Sequence, residues 1–467
     1  MRTRGGLILL ILIVAVAPGV ALLAGACGSK RGAATRERAP QAASAIATEA
    51  RTLSPLPERV LSPAMERVRQ RVMRRASEAR ELSWLSEPRM AELTGWEYGT
   101  RAREMTEALG GEELRQLSRL AVAGGMLPAG TDLATLAAGF AAATATGVYS
   151  PLDKSVLLVA AERAKSASAH AGASPSPPPP AAVDESLLAH ELTHALQDQH
   201  FDLLKLLTAK PYSFDRTEAA FAVVEGDAVN VQRRTERGAA WSRLTPEDAA
   251  RIEDARFAAY RTELGALFPP LLTETFIFRY RDGARLVETA RRKGGERAVD
   301  ELFARPPSSS EQVLHPEKYF ANEAPREVSF DEGSLASAGW EVATSTPLGE
   351  LGVRGLLLKS LSRKEAERAA AGWGGDRAYL FARGARDALF VWATAWDSTG
   401  DAQEFFRAYN VLMSARGAAG ASDDDQPEQV KSWREADTIT RVRLAGDSVL
   451  ILRGREADVA SAQRAAR

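Results

Sequence analysis

The pentapeptide His190-Glu191-Leu192-Thr193-His194 constrains this chain more than any other stretch. Residues four apart on an α-helix stand one above the other on the same face, so both imidazoles can reach a single ion. The flanks favour a helix. A proline-rich run ends at Pro180, Asp184 is placed to act as N-cap, and neither Gly nor Pro interrupts the sequence on to His200. Leu188, Leu192, Ala195 and Gln199 share one stripe, predicted to face the core. Leu187, Glu191, His194 and Asp198 share the next, with His190 between, predicted to wall a cleft. The chain has five histidines, and three of them (His190, His194, His200) fall in this segment.

A metal site needs a third ligand. His200 has the spacing of a third histidine, but that arrangement requires the helix to break at position 197, where Gln197 is a good helix former. The methionine turn that accompanies it is also missing, since no Met lies between Met126 and Met413. His200 is therefore read as a helix-end or packing histidine. The other candidate is Glu225, on a second predicted helix that Asp215 and Glu218 would open with a capping box. Ala219, Ala220, Ala222 and Ala228 permit close helix contact, and Gly226 lets backbone near the metal pack tightly. Glu218, seven residues before Glu225, shares its face and is a reserve ligand or a supporting partner.

With these residues the chain resembles the gluzincin zinc metallopeptidases. More narrowly, HELTHALQDQHFDL with VEGDA is similar to a mostly uncharacterised group of secreted or lipid-anchored metalloproteases. LPAGTDL, GVYSPLDKSVLLV, FIFRYRDGARLVE, PPSSSEQVLHPEKY and GWGGDRAYLF with VWATAWDSTGDAQEF extend the likeness over about residues 127–409. The resemblance implies a Zn²⁺ cofactor held by His190, His194 and Glu225, with Glu191 as general base in peptide-bond hydrolysis. Val229 stands where the thermolysin-like branch has an aspartate, so Asp227 or Glu218 is expected to orient His190 from behind. His315 or Tyr319 would stabilise the developing oxyanion. In such enzymes a strand beside the active-site helix pairs with extended substrate. A hairpin over residues 147–160 offers that strand, or merely closes a small sheet.

The rest of the chain gives the frame. With 45% hydrophobic and 26% charged residues the composition is globular, and a net charge of −1 offers nothing to nucleic acid. Residues 1–27 read as a lipoprotein signal: Arg2 and Arg4, an apolar run, then Leu23-Ala24-Gly25-Ala26-Cys27. Cys27, the single cysteine, is the expected lipid attachment site, which excludes internal disulfides and places the protein in the cell envelope, anchored to a membrane. Residues 28–55 are a predicted tether. Residues 56–180 form a helical region with the hairpin and a proline-rich insertion, which carries His170, and 181–330 the metallopeptidase core. Residues 335–467 form an α+β domain of hairpins and helices, with a weak internal repeat. The fold class expected is α+β, with a mainly helical zincin-like domain and a small hairpin sheet. A second class stays open: a zinc-binding envelope scaffold or chaperone-like lipoprotein without catalysis, to which Trp373, Trp392 and Trp396, read as exposed, would suit a partner-binding surface.

Overall fold

The computed structural model describes residues 53–57, 61–144, 147–159, 184–266, 268–384, 387–416, 419–423 and 429–465. Cys27, residues 28–52 of the tether, the proline-rich insertion with His170, and residues 424–428 lie outside them.

The chain is α+β. Its first half is helical around a three-stranded sheet: α1 (Pro63–Arg80), β1 (Arg89–Leu93), α2 (Gly95–Ala123), α3 (Leu133–Thr144), β2 (Gly147–Ser150) and β3 (Ser155–Val159). β2 and β3 form the expected antiparallel hairpin, β1 joins β3 in parallel, and β2 is left at an edge. α2 is interrupted at Gly110 (φ 149°), whose non-helical backbone divides it into two helical runs. Then come α4 (Glu185–Phe201), α5 (Leu203–Leu207), α6 (Phe214–Arg237), α7 (Ala239–Ser242), α8 (Pro246–Gly265) and α9 (Pro270–Ile277). A π-helical turn, Phe278–Asp282, leads into α10 (Gly283–Ala304), followed by α11 (Ser310–Leu314), α12 (Pro316–Phe320) and α13 (Gly333–Ala336).

The C-terminal part holds β4 (Glu341–Thr346), α14 (Gly349–Leu357), α15 (Arg363–Ala370), β5 (Trp373–Arg383), β6 (Asp387–Trp396) and α16 (Thr399–Ala415). It ends with β7 (Ala419–Asp423), β8 (Gln429–Glu435), β9 (Thr438–Ala445), β10 (Ser448–Gly454) and α17 (Glu456–Ala465). Its sheet runs β4-β5-β6-β10-β9-β8-β7, and the two hairpins meet at the antiparallel β6–β10 pair. One hydrophobic cluster runs from Val72 through Leu192 and Val223 to Ile451, so the core is continuous across the boundary near residue 330. Trp373, Trp392 and Trp396 are at most 1% exposed, which corrects their reading as surface residues and removes the partner-binding surface built on them.

The starts of the two central helices differ in how well the sequence foretold them. Asp184 caps α4 as expected, accepting from the Ser186 and Leu187 amides. On α6 the cap is Ser213, not Asp215. Asp215 lies inside the first turn and accepts from the Ser310 amide at 2.9 Å, tying α6 to α11. Burial, above all, pushes its carboxyl up to about 7. A raised folded pKa favours the folded state below the ordinary value of 3.8 and loses that contribution as pH climbs towards 7. Asp215→Asn should therefore flatten the fall in stability between about pH 4 and pH 8, read from chemical-denaturation midpoints.

α6 and α10 touch backbone to backbone. A Cβ on Gly226 would lie 2.2 Å from the Gly283 carbonyl carbon, and one on Gly283 would lie 2.0 Å from the Ala222 oxygen. Asn230 bridges the crossing, donating to Gly226 O at 3.0 Å and Ala284 O at 2.9 Å. Gly226→Ala should cost about 1–3 kcal/mol or more in denaturation experiments and lower metal affinity, because Glu225 moves with the backbone it follows.

Candidate metal centre

Three side chains meet where α4 crosses α6. His190 Nε2 stands 3.2 Å from Glu225 Oε2, His194 Nε2 is 3.5 Å from the same oxygen, and the two Nε2 atoms are 3.0 Å apart. All three residues are buried. Tetrahedral zinc with ligand bonds of about 2.0–2.1 Å sets its ligand atoms roughly 3.3 Å apart, so this donor set has the spacing a metal requires. The charge states suit as well. Burial lowers the His190 pKa to about 4, so the ring is neutral near pH 7. Burial pulls the Glu225 carboxyl upwards, but the neighbouring His194 and His190 outweigh it and bring the value down to about 2. Neutral imidazole with ionised carboxylate is what a divalent cation binds.

Glu191 lies on the neighbouring face of α4, against β2. Its Oε2 accepts the Tyr149 amide at 2.7 Å, while Oε1 is buried without a partner among the described residues. One oxygen is held and the other is free for a proton. Burial, reinforced by the Glu225 charge, pushes this carboxyl well above its ordinary value. Tyr149 also anchors the strand from its other end, since its hydroxyl and Lys154 Nζ both donate to Asp198 on α4.

The supporting residues differ from those expected. His194 Nδ1 faces Gln197 Oε1 at 2.9 Å, and Gln197 Nε2 donates to Val224 O at 3.1 Å and Asp227 Oδ2 at 3.0 Å. Asp227 therefore steadies His194 through Gln197, not His190. The same oxygen accepts Arg80 Nε at 2.8 Å, and Arg80 also reaches Asp300 at 2.6 Å and Glu296 at 3.3 Å. Glu218 is neither reserve ligand nor partner of His190. Arg279 grips it with two bonds of 2.6 Å, because a buried carboxylate this close to a guanidinium gains most from the two-pronged pairing. His190 Nδ1 has no hydrogen-bond partner among the described residues, and Tyr280 of the π-helical turn stacks on its ring at 6.1 Å.

His315 and Tyr319 lie elsewhere. His315 Nε2 pairs with Glu350 Oε2 at 2.9 Å, and the Tyr319 hydroxyl donates to Arg305 O at 3.0 Å. His315, between α11 and α12, is held by α14, and Tyr319, on α12, by the residue that follows α10, so neither is among the donor set. His200 faces Ser83 O at 2.8 Å and closes the end of α4. The Tyr98 hydroxyl, which the sequence gave no reason to single out, is buried without a hydrogen-bond partner among the described residues. Its pKa is raised first by burial and then by the Glu191 charge.

A family model for a domain of unknown function, DUF8575, matches residues 285–464. The match starts after Glu225 and so excludes the whole donor set. No curated protein and no solved structure matches the chain.

Gln197→Ala should lower metal affinity about 10–100-fold while leaving the circular-dichroism spectrum unchanged, since it frees His194 to turn without removing a ligand. Competition with a chromogenic chelator measures it.

Proposed function

We propose that the protein is a zinc-dependent metallopeptidase of the gluzincin type, with a zincin-like helical core, exported and lipid-anchored through Cys27 in the cell envelope. The observation that carries this reading is the convergence of His190, His194 and Glu225 on one point, with a singly held carboxylate, Glu191, beside it. A scaffold site needs the three ligands but not a second buried acid with a free oxygen.

His190, His194 and Glu225 would hold the ion. Zinc bound there supplies Lewis-acid activation of water and of the scissile carbonyl. Glu191 Oε1 takes a proton from water and delivers it to the leaving amine. The Tyr149 amide keeps Oε2 occupied, so Oε1 is the oxygen that works. β2 is the edge strand beside α4, but it is buried and its Tyr149 amide is held by Glu191, so pairing it with an extended peptide would require the strand to be uncovered. A protein or peptide is the substrate.

Glu191→Gln should retain zinc, measured by atomic emission on the purified protein, and lose about 10²–10⁴-fold of the hydrolysis of a casein-like substrate. Chelation should abolish activity in the wild type and added zinc restore it. Full activity in the Gln variant would sink the role given to Glu191, and a wild type that retains no zinc would sink the proposal as a whole.

A further inference from the structure

The donor set is sealed from solvent, and the seal has a larger space on its far side. His190 is 0% exposed and Glu225 1%. The cavity against the His190 ring measures about 20 Å³, room for little more than a water. Arg233 forms part of its wall, and Arg233 Nε donates to Glu253 Oε1 on α8 at 2.8 Å. Glu253 in turn lines a second cavity, of about 590 Å³. The ion pair thus partitions a small space at the metal centre from a large one beyond it. The larger volume falls within the roughly 300–1,000 Å³ of pockets that enclose small ligands, and a folded domain cannot enter it.

The walls of the larger cavity carry opposite charges. α8 contributes Glu253 and Asp254, the latter 3.5 Å from Arg281, while α10 contributes Arg285, Arg292 and Lys293, and Trp241 adds apolar surface. Glu288, also on α10, pairs with Arg291 and with Arg292 at 2.6 Å, which leaves Arg285 and Lys293 to carry the basic side. Glu253 is 7% exposed, and its Oε2 is buried with no hydrogen-bond partner among the described residues. A buried carboxylate oxygen left without a donor is costly, and Glu253 is the acid at the cavity wall that an incoming cation would compete for.

We propose that this cavity binds a short zwitterionic peptide, with its ammonium end at Glu253 and Asp254 and its carboxylate end on the basic wall of α10. An ammonium that engages Glu253 competes with Arg233 for it and loosens the partition above His190. The link to the metal rests on the peptidase reading. The binding itself does not.

Tetra-alanine titrated calorimetrically into full-length protein carrying Glu191→Gln tests this without turnover. The free peptide should bind at one site, and N-acetylation or C-amidation should each weaken binding by roughly tenfold. Ala249→Trp, which fills the cavity from α8, should remove binding, and Arg285→Glu should weaken the free peptide more than the C-amidated one. Thermal unfolding of each variant checks that the fold persists. Absence of binding, equal binding of free and end-blocked peptides, or unaltered binding in a folded Ala249→Trp protein overturns the proposal. Tetra-alanine bound by a wild-type chain that holds no zinc keeps the cavity and defeats the peptidase reading. Zinc and turnover without tetra-alanine binding do the reverse.

Discussion

The contact of two backbones at Gly226 and Gly283 sets the geometry on which the candidate centre depends. With any side chain at either position the helices α6 and α10 would stand farther apart, and Glu225, one residue before Gly226, would shift relative to α4. A carboxylate and two imidazoles must agree to within a few tenths of an ångström to share an ion, so the precision comes from the helix crossing and not from the ligands. Asn230 holds the same crossing by bonding to both helices.

Behind the ligands lies a buried relay of polar groups. Gln197 faces His194, Asp227 accepts from Gln197 and from Arg80, and Arg80 extends to Glu296 and Asp300 on α10. Burial works against the Arg80 charge, and Asp227 and Asp300 more than offset it. An ion pair of this kind adds little net stability compared with apolar packing, but removing one partner strands the others. Its effect is to fix the orientation of His194 from a helix far away in sequence.

What the sequence made legible was local. The α4 stripe, the Asp184 cap, the 147–160 hairpin and the small residues around Glu225 are set by period and turn chemistry, and they brought His190, His194 and Glu225 together correctly. Gln197 was read as a helix former because its second role needs Val224 and Asp227, which only the tertiary structure supplies. Arg80 was one arginine among many on a helix whose cationic face hid the single buried charge. Asp227 and Glu218 were both plausible partners for His190 by position, but each met a stronger donor first. His315 and Tyr319 were chosen by residue type, and type does not say which corner a loop turns. The tryptophans misled for a similar reason: strands β5 and β6 are covered on both faces, so the usual alternation of inward and outward residues is lost.

The network anchored on Arg80 has a consequence for the order in which this molecule is made. Its donors and acceptors come from α1, α4, α6 and α10, and the crossing that positions Glu225 requires Gly283. A growing chain released up to α6 would own all three ligands yet lack the wedge that aims them. If the centre takes up the proposed zinc, its acquisition would be a late event in the life of the polypeptide, following synthesis through α10, and a fragment ending earlier would hold the three side chains without a defined pocket.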